Sequence, residues 1–133
     1  MATAEQRNHA RNYLKKAEEY AASAAANLAA ERCTPAAGDS IHAGICAKDA
    51  IVTVLTGSTR KGTDHATAAK ELRRALGARP TAATAEKALR ELLAVKGDVE
   101  YGTNLITAGK AEPLVRRADV LVELATEIVR LGG

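Results

Sequence analysis

Phenylalanine and tryptophan are absent from the 133 residues, and Tyr13, Tyr20 and Tyr101 are the only aromatic side chains. A β-sandwich or barrel draws on aromatic and β-branched strands with frequent turn signals, so this shortage argues against a sheet core. Long apolar runs are missing as well. The longest uncharged stretches, around Ala21–Ala30 and Ala50–Thr59, fall short of the roughly 20 residues that span a bilayer and contain polar residues. The first residues, with Glu5, Arg7 and Arg11, offer no apolar segment of the secretory kind, so the default expectation is a cytoplasmic protein without a membrane anchor. Cys33 and Cys46 have neither metal-pair nor redox-pair spacing, and no disulfide is expected. Neither G-x-x-x-x-G-K-[ST] nor G-x-G-x-x-G occurs, which excludes P-loop chemistry, and a serine nucleophile elbow and zinc-type Cys and His pairs are missing too. No cofactor is expected.

The hydrophobic 47% of the chain is therefore mostly Ala, Leu, Val and Ile, small and aliphatic side chains that let helices approach closely. Apolar spacing of three and four residues predicts an all-α, up-and-down bundle of about five helices, four long and a short third, as a single domain over 1–133. The first helix covers Thr3–Ala30, with Leu14, Ala17, Ala21, Ala24 and Leu28 on one face. A second begins near Thr34 and Pro35 and stops at Gly57, its stripe being Ile41, Ile45, Val52 and Leu55, with Gly44 and Ala47 as close-contact points. Asp64 can cap the third helix, which places His65, Ala68, Ala69, Leu72 and Leu76 on one face and ends at Gly77. The fourth starts at Thr81 or Thr84 and frays around Gly102. The last opens near Pro113, with Leu114, Ala118, Leu121, Ala125 and Ile128 as a seam broad enough to serve the core alone or a partner helix as well.

Net charge is only +3, from 19 basic and 16 acidic residues, too little to announce a nucleic-acid binder. Its distribution is uneven. Residues 60–79 hold Arg60, Lys61, Lys70, Arg73, Arg74 and Arg79 against Asp64 and Glu71, while the flanking segments nearly balance. An anionic partner is expected there, with Lys61, Lys70, Arg73 and Arg74 as contacts; the alternative is a solvated basic helix face. Within this segment Arg60 and His65 stand at the entry to a helix, whose free N–H groups and dipole attract phosphate. An RNA 2′-hydroxyl can attack its adjacent phosphate, so a histidine that moves a proton and an arginine that stabilises the developing charge suffice without metal. Alternatively, His65 packs on the apolar face and Arg60 is a loop charge. A weaker constellation, His42, Cys46 and Asp49, shares one face of the second helix at metal-ligand spacing, but it lacks a further ligand and no metal is expected.

The order of these features resembles the HEPN family, the higher-eukaryote and prokaryote nucleotide-binding helical domains. The resemblance covers nearly the whole chain. It is carried by the Ala-rich first helix, the run Ser40–Ile51, the Gly62-Thr63-Asp64-His65 entry to a short third helix, Val99-Glu100-Tyr101-Gly102 closing the fourth, and a long final helix from Ala111 through Ile128. It implies an up-and-down bundle, frequent homodimers, and a role on or beside RNA or nucleotides, in a toxin–antitoxin or nucleotidyltransferase-associated system. Arg60 to His65 is the chain's one match to the Arg-x4–6-His of the family's ribonucleases. Lys61 follows the arginine where active members carry Asn, Asp or His, and Glu100 stands where one branch places an arginine. A metal-independent ribonuclease using Arg60 and His65 is therefore one alternative, and a structural partner of a nucleotidyltransferase, an antitoxin or another subunit is a second.

Overall fold

The computed structural model describes residues 2–61 and 64–132. Six helices occur in the order α1 (Ala4–Ala29), α2 (Cys33–Thr56), α3 (His65–Leu76), α4 (Ala82–Ala94), α5 (Lys96–Tyr101) and α6 (Ala108–Arg130), with no strand among the described residues. The fold is all-α, and no helix is long and apolar enough to cross a membrane.

Local chemistry sets most helix ends. Thr3 and Gln6 form a reciprocal capping box, Gln6 N–H donating to Thr3 Oγ1 at 3.1 Å and Thr3 N–H to Gln6 Oε1 at 2.8 Å. Gly57 ends α2 at φ +100°, in the left-handed region that favours glycine. Asp64 caps α3 by accepting from Thr67 N–H at 2.7 Å.

Three boundaries differ from those expected. Helix α2 opens at Cys33, so Thr34 lies inside it, and its hydroxyl accepts instead from Ile106 N–H. The predicted fourth helix is broken at Val95 into α4 and the short α5. Helix α6 opens five residues before Pro113, at Ala108, and carries the proline inside. A proline there removes one bond, to the Gly109 carbonyl, and Gly109 is exposed, so water can take its place.

Helix α2 is the axis of the bundle. Fourteen of its 24 residues are buried, as expected of a helix that is apolar nearly all round. It touches all five other helices, most extensively α1 and α6. Ala10, Leu14 and Ala17 of α1 and Leu114, Leu121, Ala125 and Ile128 of α6 belong to one apolar cluster with its buried residues. The α6 seam is thus largely consumed within the chain; Val120 and Leu131 are its exposed apolar neighbours.

Gly44 marks the closest approach. A Cβ there would stand 2.6 Å from Leu92 Cδ1 and 3.4 Å from Leu121 Cδ1, and both leucines are fully buried. Gly44→Val should therefore lower stability by about 2 kcal/mol or more, because overpacking outweighs the gain of roughly 0.5 kcal/mol in helix propensity. A urea melt that leaves the midpoint unchanged would contradict this packing.

Candidate phosphate-binding site

Lys48 and Asp49 interrupt the apolar middle of α2 and are only 3% and 1% exposed. Buried charges persist only with partners, and here the segment after Gly57 supplies them. Lys48 Nζ donates to Thr59 Oγ1 at 2.8 Å and to the Arg60 carbonyl at 3.3 Å, and pairs with Asp49 Oδ1 and with Glu71 of α3. The Thr59 hydroxyl donates to Asp49 at 2.7 Å, and Arg60 N–H donates to Glu71 Oε2 at 3.3 Å. Lys61 closes the network onto Asp49 Oδ2, its ammonium 4.5 Å from the centre of the Tyr13 ring on α1. Burial pulls the Lys61 ammonium down, but its hydrogen bond to Asp49 and the carboxylate charge outweigh that and hold it above the ordinary lysine range.

Two carboxylates, Asp49 and Glu71, thus meet two ammonium groups, Lys48 and Lys61. Nothing in this network is left to neutralise Arg60. Its exposed side chain stands between two clefts. One, of about 180 Å³, is lined by Lys61, His65 and Lys96 over an apolar floor that includes Ile45, Ala68, Leu89 and Leu93. The other, of about 330 Å³, is lined by Lys70, Arg74, Thr56 and Thr67. Among the described residues none of Arg60, His65, Lys70, Arg74 and Lys96 forms an ion pair.

Of the residues singled out in the sequence, Arg60, Lys61 and His65 come together at one cleft, and Lys70 and Arg74 join Arg60 at the other. His65 is exposed rather than packed, because α3 begins at this residue and its first turn stands clear of the core. Gly62 and Thr63 lie outside the described residues. Arg73 turns toward α4, where it donates to Glu86 Oε1 at 2.9 Å, and Arg90 holds the other oxygen of the same carboxylate. Lys48, Thr59, Glu71, Lys96 and Tyr13 were not anticipated. A lysine–aspartate pair inside an apolar helix is the one signal that could have exposed the first three.

The His42, Cys46 and Asp49 face does not gather a ligand set. Seven residues separate His42 from Asp49, roughly 10 Å along a helix axis. The histidine stacks on Tyr20 with ring centres 5.2 Å apart and meets Glu100 at 3.4 Å, while Asp49 is taken by Lys48, Lys61 and Thr59. Burial, then the Asp49 charge, raises the Cys46 thiol, which disfavours the thiolate a metal needs.

Two carboxylates outside the network set an acid dependence. Glu86 is held below its ordinary range by its bond to Arg73, against the opposing effect of burial, and Asp64 by the Thr67 backbone N–H. A lowered folded value means the contribution is full above the unfolded value and is lost as pH falls through the folded one. The melting temperature should therefore drop as pH goes below the ordinary carboxylate range, and Glu86→Gln should shrink that drop; an unchanged acid profile in the variant would contradict the Arg73–Glu86–Arg90 clasp.

Comparison with protein-family models, with curated proteins and with solved structures returns no match to this chain.

Proposed function

We propose that this chain is a HEPN-like helical domain that acts on or beside RNA or nucleotides, holding phosphate at the surface centred on Arg60. The observation that carries this reading is the charge imbalance. Five cationic or protonatable side chains, Arg60, His65, Lys70, Arg74 and Lys96, line two adjoining clefts without ion-pair partners among the described residues, while the carboxylates there are already paired with lysines. Such a surface lowers its own repulsion by binding anions, and each neutralised phosphate releases counterions. The resemblance adds a cytoplasmic toxin–antitoxin or nucleotidyltransferase-associated setting, with a homodimer and a nucleotidyltransferase or antitoxin subunit as partners. Fluorescence anisotropy with labelled single-stranded RNA tests the reading. Arg60→Ala, Lys70→Ala and Arg74→Ala should each weaken binding several-fold at low salt, and Arg73→Ala, on the α4 side, should not. Equal effects at all four positions would overturn the assignment of this surface.

A second reading, cleavage, is favoured by one feature: Arg60 and His65 line the same cleft, and both are exposed. In this reading the 2′-oxygen attacks the adjacent phosphorus as His65 accepts its proton. The P–O5′ bond then breaks, the leaving oxygen takes the proton back from the His65 imidazolium, directly or through water, and Arg60 stabilises the charge that builds on the phosphoryl oxygens. RNA cleavage that persists in EDTA is its test.

A further inference from the structure

The buried Lys48 has more acceptors than protons. An ammonium offers three N–H donors, and Thr59 Oγ1, the Arg60 carbonyl, Asp49 and Glu71 all face it. At 3% exposure it has no donor to spare for a ligand. Two of those acceptors belong to the short segment between α2 and α3, and a third, Glu71, accepts the Arg60 N–H from the other side. The backbone on both sides of the Arg60 Cα is therefore tied, directly or through Glu71, to one ammonium rooted in the central helix. A loop residue whose own side chain is exposed would otherwise sample many directions.

We propose that Lys48 is a positioning residue: it pins residues 59–61 to α2 and so aims the Arg60 guanidinium at the junction of the two clefts. The inference rests on the phosphate-binding reading for its purpose, while the tether itself stands apart from it. Preorganised donors bind an anion more tightly because the ordering cost is met on folding. Asp49 and Thr59 belong to the same tether, Thr59 relaying between the lysine and the aspartate.

Two variants loosen the tether differently. Thr59→Val removes the relaying hydroxyl and leaves every charge paired, whereas Lys48→Met removes the anchor, and Thr59→Val alone decides if Lys48→Met does not fold. Two readouts are taken on the full chain well below its melting temperature: the rate of tryptic cleavage at the Arg60–Lys61 bond, and affinity for a fluorescein-labelled single-stranded RNA. Thr59→Val should speed cleavage severalfold with little change in melting temperature, and should weaken RNA binding. Combined with Arg60→Ala, it should weaken binding no further than Arg60→Ala alone, because residues acting through one contact are not additive. A merely structural role would give losses that add. Unchanged cleavage in the folded variants, or additive losses, overturns the positioning role. A wild-type chain that binds no RNA, with cleavage still accelerated by Thr59→Val, overturns the phosphate-binding reading and leaves the tether standing.

Discussion

On the cleavage reading, Arg60→Ala and His65→Ala should each reduce metal-independent RNA cleavage by a factor of about a hundred or more while leaving the melting temperature nearly where it is. Both side chains are exposed and neither pairs with a carboxylate among the described residues, so truncating them removes little packing and leaves no buried group without a partner. The packed-histidine alternative makes the opposite forecast, a stability loss of roughly 1–3 kcal/mol for His65→Ala. Its exposure on the first turn of α3 removes the basis for that loss. Wild-type protein that binds RNA and never cleaves it in EDTA would end the cleavage reading and leave phosphate binding intact.

The second large effect lies in the core. Leu121→Glu should cost several kcal/mol, because Leu121 is fully buried beside Gly44 and a carboxylate there would lose its hydration. Against a typical stability of about 5–15 kcal/mol this loses much of the margin, so the melting temperature should fall by roughly 10 °C or more, or the helical circular dichroism should disappear outright. Val122→Glu, one residue on and half-buried, should do much less to the isolated chain. The contrast separates two roles that the breadth of the seam left open. Leu114, Leu121, Ala125 and Ile128 are consumed by the chain's own core, so a partner would have to meet α6 through the residues beside them. Equal losses from both substitutions would contradict that division.

The readable parts of this fold were those written in local chemistry. Thr3 at one cap, Asp64 at another, and Gly57 and Gly77 at two ends fix their helices through bonds within a few residues, and the apolar period does the rest. Pro113 misled because proline is at home in a first turn. The five residues before it, Ala108 to Glu112, carry helix with no signal stronger than the proline's. The break at Val95 is marked only by Gly97 two residues on, and a lone glycine inside a helical pattern lowers helix propensity without announcing a break. In the site, Arg60, Lys61, Lys70 and Arg74 were legible as local charge density. Arg73 looked equivalent until α4 brought Glu86 to it. The Lys48, Asp49, Thr59 and Glu71 network joins residues 10 to 23 positions apart through tertiary contact, and a one-dimensional pattern carries only its anomaly, two charges inside an apolar helix.

Phosphate binding by the Arg60 surface is tested most directly by the salt dependence of RNA affinity. Three or four phosphate contacts from Arg60, Lys70, Arg74 and Lys96 would give a slope of log affinity against log salt of roughly −2 to −3 for single-stranded RNA. Arg60→Ala should make that slope shallower by about 0.7, the share of one contact. A slope near zero, or no RNA binding even at low salt, would contradict the account.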